Sequence, residues 1–162
     1  FNSIMNVFGQ HARRVSKLEE SNDELIQKLK EQSGNVILLV EDNEINQQVA
    51  KEIIEETGLI VEIASNGEIA VEMIRNSGNP SKYKLVLMDL QMPVMDGKET
   101  FRELHARDPR LPVFLISGYA QNGEVQELLD KGALGFIHKP FRIEEVLTKI
   151  GGSHCQANLC SS

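Results

Sequence analysis

Five short apolar runs, each closed off by Gly, Pro, Asn or Asp, limit what this chain can fold into. They lie at Val36–Val40, Ile60–Ala64, Leu85–Met88, Val113–Ile116 and Gly135–His138. The inner runs are continuous rather than alternating, which suits parallel strands covered on both faces. Helical spacing fills the gaps between them. Ile45, Val49, Ile53 and Ile54 mark a first helix; Ile69, Met73 and Ile74 a second; Phe101 and Leu104 a third. Val125, Leu128 and Leu129 mark a fourth, and Val146, Leu147 and Ile150 a fifth. Parallel neighbours need a crossover, so strand–helix alternation repeated five times predicts a doubly wound α/β sheet.

The residues ahead of these runs have a different texture. Ile4, Phe8, His11, Val15, Leu18, Asn22, Leu25, Leu29 and Gln32 are spaced alternately four and three apart. That is a heptad seam, with Phe8, Val15, Asn22 and Leu29 at a and Ile4, His11, Leu18 and Leu25 at d. It predicts an amphipathic coiled-coil or linker helix over residues 1–33, pairing two copies as a homodimer through residues 4–32. An Asn at an a position favours a parallel two-stranded register. The competing reading packs this helix on another domain of the intact protein. Ser33-Gly34 ends the helix and forms a short hinge. Residues 35–150 then make the α/β domain, and 151–162 a flexible tail. The chain opens on Phe1 rather than Met, so it is read as part of something longer.

Charge narrows the function classes. The chain carries a formal −7. Residues 1–33 hold five basic and five acidic side chains, so the whole excess lies beyond them. That argues against a nucleic-acid surface. No apolar run reaches the roughly 18 residues that span a bilayer, and no secretory signal pattern opens the chain. A cytoplasmic location is expected, with no membrane contact by these residues and any anchor of the parent placed upstream of Phe1. Cys155 and Cys160 are read as reduced tail thiols; with His154 they are too few for a closed zinc site.

In an open α/β sheet, ligands bind beyond the carboxyl ends of the strands, where strand order reverses. Glu41 and Asp42 follow the first run, Asp89 the third, Ser117 and Gly118 the fourth, Lys139 and Pro140 the fifth. Three carboxylates brought together repel one another unless a cation lies among them. Oxygen-only donors favour Mg²⁺, or Mn²⁺, over zinc. The Gln91 backbone carbonyl could complete the protein's share of ligands. Lys139 can neutralise a phosphoryl oxygen, Ser117 offers a hydroxyl, and Gly118 leaves room for a substrate. Together these parts describe phosphoryl transfer to a nucleophilic carboxylate.

The segments Leu39-Val40-Glu41-Asp42-Asn43, Met88-Asp89-Leu90-Gln91-Met92-Pro93, Asp96-Gly97, Ser117-Gly118 and Lys139-Pro140-Phe141 resemble the CheY-like receiver domains of response regulators. The stretch Glu41-Asp42-Asn43-Glu44-Ile45-Asn46 is most similar to receivers of hybrid sensor histidine kinases. The resemblance covers residues 35 to about 150. It implies a flavodoxin-like strand order of 2-1-3-4-5 with five flanking helices. It implies that Asp89 is the phosphoacceptor, that Asp42 binds Mg²⁺ directly, and that Glu41 helps directly or through water. Ser117 stands where the family has a Thr or Ser that turns inward on phosphorylation. Phe136 stands where the family places a switching aromatic, often Tyr, and lacks its hydroxyl. The Lys139–Pro140 bond is implied to be cis. The implied partner is a histidine kinase or histidine phosphotransfer protein, and the surface that switches is that of the fourth helix, fifth strand and fifth helix. The parent is expected to be a hybrid histidine kinase or a multidomain response regulator; whether these residues count as an enzyme stays open.

Other readings of the same residues are weaker. Asp89 alone could cap a helix, and Glu41 and Asp42 could cap the helix after them. Asp96 and Gly97 are expected to start a helix. Tyr119 either tunes access to the site or packs. His11 is read as a seam residue, because Ala12-Arg13-Arg14 does not resemble a phosphodonor motif. A Mg²⁺-dependent phosphatase with an aspartyl nucleophile usually has a second acid two residues on, where this chain has Gln91. A receiver-like dimer scaffold that takes no phosphate is the third alternative.

Overall fold

The alternating runs assemble into one sheet. The computed structural model describes residues 23, 24, 26–118, 123–140, 142 and 145–151. Five parallel strands, β1 (Val36–Val40), β2 (Ile60–Ala64), β3 (Tyr83–Asp89), β4 (Val113–Ser117) and β5 (Gly135–His138), lie in the order β2-β1-β3-β4-β5. Between them run α1 (Glu44–Glu55), α2 (Gly67–Asn76), α3 (Gly97–Arg107) and α4 (Gly123–Asp130), and residues 145–151 form α5. The chain steps from β1 to β2 on one side and crosses back to β3 on the other. Strand order therefore reverses between β1 and β3.

Side-chain alternation explains why the central runs are apolar throughout. Ile37 and Leu39 enter a layer with Leu85, Leu87, Phe114, Ile116 and Ile137, covered by Ala50 and Ile54 of α1 and by Val146, Leu147 and Ile150 of α5. Leu38 and Val40 enter the opposite layer with Val86, Met88 and Leu115, covered by Ala70 and Val71 of α2, Phe101 and Leu104 of α3 and Val125 and Leu128 of α4. With both faces buried, the runs Ile37–Val40, Leu85–Met88 and Val113–Ile116 stay apolar until the strand ends. Each aliphatic side chain so buried contributes about 1.5–3 kcal/mol.

The helices start where the sequence supplies a capping oxygen. Asn43, Asn66 and Asp96 are the N-caps of α1, α2 and α3, each side chain accepting backbone N–H groups of the first turn. Such a cap is worth about 1 kcal/mol. Asp96 and Gly97 thus start a helix as expected. Ile45 and Val49, part of the spacing that located α1, correct the expectation in one respect. They are 74% and 41% exposed, while Ala50 and Ile54 make the buried stripe. On the far side, α4 is tied to α3 through Glu127, which pairs with Lys98 at 2.8 Å, Arg102 at 3.3 Å and Lys131. Hydrogen bonds from Lys131 and then Lys98 hold the Glu127 carboxyl down to about 2.

Residues 26–30 are helical and belong to the α/β body. Leu29 is 0% exposed and lies in the α1/α5 layer, with Ile26 packed against it. Leu29, an a residue of the heptad seam, is spent in this core. The Ser33-Gly34 turn that follows does end the helix, with Gly34 at φ 90°, but it is pinned rather than loose. The Gly34 N–H (3.0 Å) and the Ser33 Oγ (3.2 Å) both donate to the Gly58 carbonyl. The rest of the seam, from Ile4 to Leu25 with His11 and Asn22, lies outside the described residues, as do Tyr119, Phe141 and the tail bearing His154, Cys155 and Cys160. No described helix is long and apolar enough to cross a membrane.

Leu29→Ala removes a fully buried side chain from this core. It is expected to destabilise the domain by about 2–5 kcal/mol, read as a lower midpoint in urea unfolding. An unchanged midpoint would mean that the segment ahead of β1 contributes nothing to the fold.

Candidate functional site

The sheet register brings the strand ends level. Val40 pairs with Met88, Asp89 with Ile116, and Ser117 with His138. The first polar residue after each central apolar run therefore lands on one edge, at the point of reversal. Glu41 follows β1 and is 0% exposed; Asp89 closes β3 at 2%; Ser117 closes β4 and is buried too. Asp42 is exposed beside them. Glu41, Asp42 and Asp89 each place one carboxylate oxygen so that all three lie within 4.8 Å of one another.

Lys139 reaches this cluster from the end of β5. Its Nζ donates to Asp89 Oδ2 at 2.7 Å and sits 3.0 Å from Glu41 Oε2. Its backbone N–H donates to the Ser117 carbonyl at 2.9 Å, which continues the ladder and aims the side chain across the strand ends. Burial pulls the Lys139 ammonium pKa down, yet its close contacts with Asp89 and Glu41 and their two negative charges outweigh it, so the net shift is upward. The Lys139–Pro140 peptide bond is cis.

Each carboxylate has its own supports. Asp89 Oδ1 accepts the Gln91 N–H at 3.1 Å. Glu41 Oε1 accepts the Asn43 N–H and the Asn46 Nδ2, both at 3.2 Å. Gln47 Nε2 donates to the Glu41 carbonyl at 2.7 Å. The loop after β3 folds back so that the Gly97 N–H bonds the Leu90 carbonyl at 3.1 Å. A Cβ at Gly97 would strike the Asp89 carbonyl oxygen, so only glycine lets α3 begin this close to Asp89. In the same loop Val94 adopts φ 72°, a costly conformation for a β-branched side chain.

Two features of the cluster fit a divalent cation. Three carboxylates face one ammonium, shared by Glu41 and Asp89, so the cluster of described residues keeps a net formal charge of −2. Glu41 Oε2, fully buried, accepts no well-directed hydrogen bond although Lys139 is near. Its nearest cation, Lys139, is shared with Asp89, so a second positive partner would be favourable at this buried oxygen.

The expected site residues thus fall into two groups. Glu41, Asp42, Asp89 and Lys139 meet, with Ser117 beside them in the sheet and the exposed Gln91 at the rim. Phe136, half-buried, packs against the α2/α3/α4 core layer and lies edge-on to the His138 ring at 6.2 Å. Sequence reasoning passed over Asn46 and Gln47. Their signal was two amide side chains in the first turn of a helix that begins just after an acidic pair.

Residues 37–151 match the family of response regulator receiver domains. The chain belongs to this family, the receiver class of two-component signalling. It is 39% identical over 112 residues to the two-component response regulator ORR41 of Oryza sativa subsp. japonica, covering 68% of this chain and 87% of that protein. It is 32% identical over 164 residues to hybrid signal transduction histidine kinase K of Dictyostelium discoideum, covering 90% of this chain but 13% of that protein. Among solved structures, it resembles the receiver domain of sensor histidine kinase PA1611 from Pseudomonas aeruginosa PAO1 with a TM-score of 0.64 and 31% identity, covering 74% of this chain and 99% of that one. That receiver holds a magnesium ion coordinated in its active site cleft.

Because the folded Lys139 carries a raised pKa, its pairing stabilises the fold fully below the unfolded value, about 10.4, and the contribution is lost as pH rises through the higher folded value. Lys139→Met is therefore expected to be less stable than the parent chain at pH 7 in metal-free buffer. The gap should begin to narrow in urea melts taken above about pH 10.4 and keep narrowing as pH rises further. A gap that stays constant with pH would show that the ammonium charge is not what matters.

Proposed function

We propose that this receiver accepts a phosphoryl group on Asp89 from the phosphohistidine of a histidine kinase or histidine phosphotransfer protein. One observation carries the reading: a single ammonium, Lys139, bridges Asp89 and Glu41 at the strand ends while the cluster keeps two unneutralised charges. Asp42, Asp89 and Glu41, with the Gln91 backbone carbonyl, would hold the cation. The oxygen-only set suits Mg²⁺ or Mn²⁺, and the magnesium of the Pseudomonas receiver supports the first. When bound, the cation neutralises charge on the transferred group's oxygens.

The chain's own residues do the rest. An Asp89 carboxylate oxygen attacks phosphorus in line with the nitrogen–phosphorus bond. That bond breaks, its electron pair stays on the imidazole nitrogen, and an acyl phosphate forms on Asp89. Lys139 is already within hydrogen-bond distance of the nucleophile and stabilises charge on the phosphoryl group without reorganising. Burial of Asp89 and Glu41 keeps bulk water from weakening these contacts. The product adds about −1.5 to −2 charge at the strand ends. Ser117 turns toward that charge, Phe136 follows, and the α4–β5–α5 surface shifts its population of shapes.

The same reading places this receiver in a hybrid histidine kinase or a multidomain response regulator of the cytoplasm, as its similarity to both kinds of protein suggests. The proposed homodimer runs through the heptad seam of residues 4–32, of which Leu29 lies in the receiver core. Gln91, two residues after Asp89, leaves the hydrolase alternative without its second acid.

Acetyl phosphate with millimolar Mg²⁺ is expected to phosphorylate the chain once, as seen by intact-mass spectrometry. Asp89→Asn should take no label, and Lys139→Met should slow labelling by about 10²-fold or more. Label retained on Asp89→Asn, or multiple turnover of a phosphate ester, would overturn the assignment.

A further inference from the structure

The two oxygens of the Glu41 carboxylate are treated differently. Oε1 is supplied with two donors from the start of α1, the Asn43 N–H and the Asn46 side-chain amide, both at 3.2 Å. Oε2 has no well-directed donor and faces Lys139 at 3.0 Å, among the carboxylates. Glu41 is fully buried, so no water is at hand to equalise the two. A glutamate side chain has three rotatable bonds, and its terminal torsion is soft. Its orientation in this cluster therefore depends on the two donors that hold Oε1, with Lys139 drawing on Oε2 from the other side.

We infer that Asn46 is a positioning residue, whose amide fixes the Glu41 carboxylate so that Oε2 is presented to a divalent cation. This rests on the reading of the cluster as a cation-dependent phosphoryl site.

The support for Asn46 can be followed residue by residue. Asn43 caps α1, its Oδ1 accepting the Ile45 N–H at 2.9 Å and the Asn46 N–H at 3.1 Å. The cap sets where the first turn begins and so where the Asn46 side chain projects. Gln47 braces the same glutamate from behind, through its backbone carbonyl at 2.7 Å. The Asn43 N–H belongs to the backbone and persists in any side-chain variant, which leaves the Asn46 amide as the removable half of the support. Without it, Glu41 is free to turn both oxygens on Lys139. That pairing would draw the ammonium away from Asp89 and occupy the oxygen the cation needs. Outer partners of metal-binding carboxylates commonly govern affinity in this way, at about 10–100-fold each.

The test is Mg²⁺ affinity of the full chain by isothermal titration calorimetry, with thermal unfolding in metal-free buffer measured separately. Asn46→Leu and Asn46→Ala should each raise the Mg²⁺ Kd by about 10-fold or more. Gln48→Leu removes another α1 amide, one bonded to Glu52 on the exposed face, and should leave the Kd unchanged. In a Glu41→Gln background the Asn46 substitution should have little further effect, because the carboxylate it positions is gone. A Kd that is unchanged or tighter in both Asn46 variants would overturn the inference even if their stability falls, as would equal losses with and without the Glu41 carboxylate. Absence of Mg²⁺ binding in the unmodified chain would instead overturn the reading of the site itself.

Discussion

Three carboxylates at one edge of a sheet repel one another, and the receiver's site consists of the means by which that repulsion is contained. Parallel pairing with level strand ends forces Glu41, Asp42 and Asp89 into proximity. Burial of two of them removes the water that would otherwise dilute their charge. Lys139 offsets part of the excess and backbone donors from Asn43 and Gln91 a little more. What remains is a standing demand for positive charge. A fold that merely wanted stability would place apolar or neutral residues at these positions. Retaining the demand is what the proposed cation and phosphoryl chemistry would draw on.

The glycine at position 97 and the amides of α1 serve the same end from opposite sides. Gly97 lets a helix begin against the Asp89 carbonyl, so the loop after Asp89 stays short and closed. Asn46 and Gln47 bring the first helix against Glu41. Glu41 thus lies at a helix N-terminus, where free N–H groups and the dipole favour negative charge, while Asp89 meets α3 only through its backbone.

Much of this was legible in the residues. Apolar runs bounded by Gly, Pro, Asn or Asp located β1, β2 and β5 to the residue, and for β1 both ends coincide with a change of polarity, at Asn35 and Glu41. β3 and β4 extend further, to Asp89 and Ser117, since a polar residue can still join the backbone ladder and apolar counting stops before it. The five-membered company at the strand ends was visible because burial on both faces leaves polar groups nowhere else to stand. The face of α1 was harder. Ile45 and Val49 have helical spacing but look outward, and the small Ala50 beside Ile54 does the packing. Leu29 misled for a related reason: one apolar residue can satisfy a heptad count and still belong to a neighbouring core. The Asn46 contact depends on a side-chain rotamer, which no spacing rule encodes.

The Glu127 hub and the Lys139 bridge respond differently to the surrounding solution. Glu127, Lys98, Arg102 and Lys131 meet at the surface, where mobile ions reach them and at 0.15 M screen charges over about 8 Å. Lys139 and its carboxylates are shielded by the sheet that carries them. Ionic strength therefore acts as a selective solvent on this molecule: it slackens the bond between α3 and α4 while the contact between Lys139 and Asp89 holds.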